Sequence, residues 1–151
     1  VKVFVTGGSG VLGRGLIPLL RDAGSDVVAP GRTELDLGDA AAVRRAIEGA
    51  DVVYHLATRI PPPERAAEPG AWDENNRLRE VVSGILVDAA LDAGVGAYVQ
   101  PSVTFVYPAE GAVDESTPVD AAANLRSILV AEAQTQRFGD AGRRGIVLRL
   151  G

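Results

Sequence analysis

The stretch that decides the fold is Val3-Phe4-Val5-Thr6-Gly7-Gly8-Ser9-Gly10-Val11-Leu12-Gly13. Val3 to Val5 is a short unbroken apolar run, the pattern of a buried strand. Thr6 to Gly10 is a glycine turn. Beyond it, apolar residues recur at Val11, Leu12, Leu16, Ile17, Leu19 and Leu20, a helical stripe that Gly24 ends. Between strand and helix stands Gly8-x-Gly10-x-x-Gly13, which reads equally well as Gly7-x-x-Gly10-x-x-Gly13. Both readings imply the same chemistry. One glycine adopts a backbone conformation closed to other residues, Gly10 lets a phosphate approach the main chain, and Gly13 lets the helix pack close. The free N–H groups where the helix starts, around Ser9, Val11 and Leu12, then bind phosphate oxygens. A strand before the glycines and a helix after them is the context in which this pattern means dinucleotide binding.

The rest of the chain repeats the alternation. Asp26–Pro30 reads as a second strand. Asp39 caps a helix that runs to Ile47 and stops at Gly49. Asp51–Leu56 (DVVYHL) is a third strand. A loop from Thr58 to Gly70 follows, then a helix over Ala71–Ala93, a strand over Ala97–Val103, a loop to Pro118, a helix over Ala121–Phe138 and a fifth strand over Gly145–Leu150. Alternating strands and helices predict an α/β fold, a doubly wound parallel sheet of the Rossmann type. The expected strand order is 3-2-1-4-5, with the ligand at the switch between strands 1 and 4.

Composition narrows the function. The 151 residues suit one domain, with 46% hydrophobic and 23% charged residues, an ordinary globular balance. A formal net charge of −5, with arginines scattered and only Arg143-Arg144 adjacent, argues against nucleic acid or an anionic membrane as partner. No apolar run reaches the roughly 18 residues that a membrane span needs. There is no cysteine, so thiol chemistry and Cys-ligated zinc are excluded, and a reducing cytoplasm fits. His55, the single histidine, cannot build a multi-His metal site and reads as a packing residue at a strand end. Lys2 is the only lysine.

The motifs resemble the extended short-chain dehydrogenases/reductases, the NAD-dependent epimerase/dehydratase group, along the whole chain. TGGSGVLG (residues 6–13) looks like that family's cofactor loop, and LDLGD (residues 35–39) is similar to its adenine-contact motif. HLAT (55–58) resembles the segment passing the nicotinamide side, and YVQPSVTFVYP (98–108) the strand ending in Ser-Ser-x-x-Val-Tyr. VDESTP (113–118) and GIVLRLG (145–151) follow in the family's order. The resemblance implies that Asp36 hydrogen-bonds adenine, that Leu37 presents its backbone, and that Leu56, Ala57 and Thr58 flank the nicotinamide. It also implies an oxidoreductase or nucleotide-sugar-epimerase-like protein, and a homodimer built on the helices 71–93 and 121–138.

The end of strand two chooses the cofactor. An acid there grips the ribose 2′-hydroxyl of NAD, whereas an arginine suits the 2′-phosphate of NADP. Gly31 stands at the acid's position and Arg32 follows it, which favours NADP(H). Glu34 is close by and keeps NAD(H) open.

The family's proton chemistry uses Tyr-x-x-x-Lys on the helix before strand five, where the lysine lowers the tyrosine's pKa. Aligning Glu132 with the acid that follows that motif puts Asn124 at the tyrosine position and Ile128 at the lysine position, with Ser127 between them. Val103 stands where a helper Ser or Thr is expected. Ser102 and Thr104 flank it, and Tyr107 is a substitute acid or, by default, a loop anchor. These three are the only catalytic candidates. The alternative function is a non-catalytic NADP-binding module that senses redox state. The family also places a substrate region after strand five. The expectation is one Rossmann domain over residues 1–151 without that region, either a piece of a longer enzyme or a chain whose fifth strand a partner covers.

Overall fold

The computed structural model describes residues 1–108, 110–119 and 125–151. Among the described residues, five parallel strands form one sheet: β1 (Lys2–Thr6), β2 (Asp26–Val28), β3 (Val52–His55), β4 (Ala97–Val103) and β5 (Arg144–Leu150). The described helices are α1 (Val11–Asp22), α2 (Ala40–Ile47), α3 (Asp73–Arg77), α4 (Ser83–Asp92) and α5 (Arg126–Asp140). A π turn, Leu78–Val82, joins α3 to α4, so the helix expected over 71–93 carries a wide turn in its middle. The helix expected from Ala121 begins at Arg126, and residues 121–124, Asn124 among them, lie outside the described residues.

The doubly wound parallel sheet is as the alternation predicts, but the strand order is not. It is β2-β1-β3-β4-β5, not 3-2-1-4-5, and the switch lies between β1 and β3. Two physical reasons account for this. Val53 is fully buried and His55 is 2% exposed, so β3 is an interior strand and pairs with β1 from Val3↔Val52 to Thr6↔His55. Beyond β2 the chain makes a series of turns and adds no strand outside it. Glu34 folds back on Gly31, and the Asp36 carboxylate accepts the Gly38 N–H at 2.8 Å. β2, only three residues long, is left at the edge.

Each face of the sheet has its own core. On one, Phe4, Val53 and Tyr98 pack under Val43 and Ile47 of α2, Leu86 and Ala90 of α4, and Phe138 of α5. Tyr98 and Phe138 meet with ring centroids 5.8 Å apart. On the other, Val3, Val5 and Leu56 pack against Leu16, Ile17 and Leu20 of α1. That second face has no described helix over β5, where Ile146, Leu148 and Leu150 are 39–45% exposed. Among the described residues, no helix is long and apolar enough to cross a membrane.

Candidate functional site

The glycine turn is built by three positions with different duties. Gly7 has φ +70°, and its carbonyl accepts the Gly10 N–H at 2.9 Å. A Cβ on Gly7 would stand 2.6 Å from Ala57 N and Leu56 C, because the turn lies against the end of β3. A Cβ on Gly13 would come 2.5 Å from Gly7 O, so the first turn of α1 is pressed onto the loop. Gly10 is the N-cap in extended conformation and carries no capping side chain, and the first turn of α1 has no acid. The contrast is α2, whose N-cap Asp39 accepts from Ala41 N and Ala42 N at 3.0 Å each. The start of α1 thus keeps unsatisfied N–H groups and the positive end of its dipole free. Of the two glycine readings, the one that begins at Gly7 places the positive φ.

In front of this turn, at the β1/β3 switch, opens a crevice of about 640 Å³. Of the residues expected from sequence, Gly7, Gly8, Ser9, Gly10, Arg32, Asp36, Leu37, Leu56, Ala57 and Thr58 line it. Val11, Leu12 and Gly13 do not. Gly13 is buried under the loop, whereas Val11 is 82% exposed. Sequence reasoning missed the far wall: Arg59, Glu74, Arg77 and Leu78. Its one signal was Glu74 and Arg77 three residues apart, the spacing of a helical ion pair.

Behind the crevice, His55 ties three elements together. Nε2 lies 3.2 Å from the Leu78 carbonyl, which can only accept, so Nε2 carries the proton. Burial pushes the ring's pKa from 6.5 down to about 4, against the hydrogen bond to Leu78, which works the other way. The neutral ring's Nδ1 then accepts from the Thr6 hydroxyl at 2.8 Å, and Thr6 Oγ1 accepts the Ala57 N–H at 3.2 Å. The expected packing residue thereby fixes the end of β1, the Ala57 backbone and the π turn. Asn75 extends the arrangement. Fully buried, it accepts the Arg59 N–H on Oδ1 at 3.0 Å.

The charges of the crevice are not balanced by pairing. Arg77 grips Glu74 with two hydrogen bonds of 2.8 and 3.1 Å. That bond, helped by the charges of Arg77, Arg32 and Arg59 and opposed by burial, holds the Glu74 carboxyl below its usual range. Arg32 and Arg59 belong to none of the ion pairs among the described residues. Glu34 points its carboxylate at Gly31 N, 2.6 Å away, at the end of β2.

The three catalytic candidates lie elsewhere. Ser102 donates to Glu132 at 2.5 Å, and Arg149 donates to the same carboxylate at 3.0 and 2.7 Å. Arg149 also donates to the Tyr107 hydroxyl at 2.7 Å and stacks 4.8 Å over its ring. Burial works to raise the Glu132 pKa, but the bonds from Arg149 and Ser102 prevail and lower it. Tyr107 and Thr104 line a second groove of about 940 Å³ between α5 and β5, not the crevice at the glycine turn. The default reading of Tyr107 as an anchor fits this network. Ile128, at the expected lysine position, is 3% exposed, and Ser127 beside it donates to Asn76 at 2.8 Å. Lys2 donates to the Glu48 carbonyl at the opposite end of the sheet. No cluster of three His, Asp or Glu able to hold a metal occurs among the described residues.

A Gly-turn crevice at the switch of a doubly wound sheet defines a Rossmann-type domain. Residues 3–151 match the NAD dependent epimerase/dehydratase family, and the chain belongs to it. It is 37% identical to a dTDP-4-dehydrorhamnose reductase of Streptomyces griseus over 72% of this chain and 35% of that protein. It is 30% identical to a UDP-glucose 4-epimerase of Azospirillum brasilense over 98% of this chain and 48% of that one. MoeE5, solved in complex with UDP-glucose and NAD, superposes with a TM-score of 0.81 at 26% identity, over 99% of this chain and 54% of MoeE5. The chain thus spans between about a third and a half of the length of these curated relatives.

Proposed function

We propose that this chain is the nicotinamide dinucleotide-binding domain of an epimerase- or reductase-like protein, and that NADP(H) is its favoured cofactor. The observation that carries the reading is the uncapped start of α1, held close to the glycine turn at Gly13, with its N-cap Gly10 and the turn Gly7–Ser9 lining the crevice. The N–H groups around Gly8, Ser9, Gly10, Val11 and Leu12 hold the pyrophosphate. Asp36 and Leu37 hold adenine, and Leu56, Ala57 and Thr58 flank the nicotinamide. Arg32, exposed at the crevice and outside the described ion pairs, takes the 2′-phosphate. The cofactor, when bound, supplies a hydride acceptor or donor. The chain's own residues supply position and charge.

A second reading, a redox-sensing module without turnover, is favoured by buried Ile128 at the lysine position. Ser102, Thr104 and Tyr107 remain the candidates for proton transfer in the first reading. The absence of cysteine supports a cytoplasmic site. Exposed Val81 on the π turn and exposed Val130 on α5 support a homodimer built on those helices.

Calorimetric titration with NADPH and NADH, beside an Arg32→Ala variant, tests the proposal. We expect NADPH to bind more tightly, and the variant to lose about tenfold for NADPH alone, the worth of one charge-assisted contact. Tighter NADH binding, indifferent to Arg32, overturns the NADP preference and assigns the ribose to Glu34. Binding of neither overturns the nucleotide reading. Bound NADPH whose absorbance persists with keto nucleotide-sugars, which can accept its hydride, together with bound NADP⁺ that hydroxylated nucleotide-sugars leave unreduced, favours the sensing module.

A further inference from the structure

Arg59 carries an inference that goes beyond the reading of Arg32, although it rests on that reading. The two arginines reach the crevice from opposite sides of β1, Arg32 following β2 and Arg59 following β3. In a sheet ordered β2-β1-β3 those strand ends lie two spacings apart, about 10 Å, a gap that two long side chains span. Both arginines are exposed at the crevice and outside the described ion pairs, whereas the nearby Arg77 is engaged by Glu74. The Arg59 main chain is also fixed, because its N–H is held by Asn75, itself fully buried. The guanidinium therefore projects from an anchored backbone.

We propose that Arg59 is a second cation of the 2′-phosphate subsite, closing with Arg32 on a phosphate dianion from the other side of β1. Two guanidinium forks outside the ion pairs of the described residues match one dianionic phosphate in charge and in donor geometry. The pyrophosphate does not need them, since the glycine turn and the start of α1 already face it. Glu74 stands beside the pair as the competing anion. Arg32, Arg59 and Glu74 all line the same crevice, and the two arginine charges both help to lower the Glu74 pKa, after the hydrogen bond from Arg77.

The test uses adenosine 2′,5′-bisphosphate and 5′-AMP, which differ only in the 2′-phosphate, titrated into the wild type and into Arg59→Gln, Arg32→Ala and Glu74→Gln. Circular dichroism spectra of the variants confirm that each is folded. We expect Arg59→Gln to lose about fivefold to tenfold for the bisphosphate and to leave 5′-AMP unchanged. Glu74→Gln moves bisphosphate affinity the opposite way. If Arg32→Ala loses the bisphosphate selectively and Arg59→Gln does not, the Arg59 proposal falls and the Arg32 reading stands. If Arg59→Gln weakens both ligands alike, Arg59 serves the shared nucleotide and the proposal falls. If the wild type does not distinguish the two ligands, the 2′-phosphate reading falls, and the proposal with it.

Discussion

Replacing Gly7 by alanine, with Gly24→Ala as its control, separates backbone strain from crowding. Both glycines have positive φ, +70° and +81°. For an alanine that conformation costs about 1–2 kcal/mol. A Cβ on Gly24 meets nothing within 4 Å among the described residues, so strain is its whole cost. A Cβ on Gly7 stands 2.6 Å from Ala57 N and Leu56 C. Those are backbone atoms at the end of β3, held by the pairing of Thr6 with His55 and by the bond from Ala57 N to Thr6, so they cannot swing aside. Overpacking of this kind adds about 1–3 kcal/mol. Thermal unfolding followed by circular dichroism should show a drop of about 4 °C for Gly24→Ala and about 10 °C for Gly7→Ala. Nucleotide titration well below both midpoints should find affinity kept in the first and lost in the second. Equal drops in midpoint would refute the crowding argument. A Gly7→Ala variant that binds as tightly as the wild type would refute the glycine turn as the phosphate site.

Two further perturbations probe the buried networks. His55 is neutral in the folded chain down to about pH 4, whereas an unfolded histidine protonates near 6.5. Between those values the unfolded chain binds the extra proton, so stability is full above 6.5 and falls as pH drops toward 4, by about 3 kcal/mol in all. Urea denaturation across that range, compared with His55→Gln, should show a steeper loss for the wild type; parallel profiles would remove His55 as the cause. Glu132→Gln strips the countercharge from Arg149, a pair whose side chains are only 11% and 23% exposed, and should cost about 2–3 kcal/mol in the same assay. A loss below about 0.5 kcal/mol, the range of an exposed pair, would show the network to be slack.

How much was legible in the sequence depended on how local the signal was. The glycine turn and its flanking strand and helix are contiguous, and so is the Asp39 cap of α2. The strand order is not legible, because it depends on Val52–His55 pairing with β1, a contact between segments far apart in the chain, and the fold type alone suggests that this strand lies outside β2. The turns after β2 are set by the Glu34 and Asp36 side chains folding back on nearby backbone. The π turn at Leu78–Val82 keeps the apolar helical spacing and so leaves no mark in it. The far wall of the crevice joins Arg59 to Glu74 and Arg77 across a loop, and Tyr107, Glu132 and Arg149 meet from three separate segments. Such contacts become visible only when the chain has closed on itself.

The uniqueness of His55 gives the hydrogen-bonded chain from Leu78 to Ala57 a practical meaning. In a chain with one histidine, every imidazole resonance belongs to that ring. The ring is joined at one nitrogen to the π turn and at the other, through Thr6, to the Ala57 amide, which borders the crevice. A single ¹⁵N-labelled side chain therefore reads, without any engineered probe, whether a ligand in the crevice has pulled on the ends of β1 and β3.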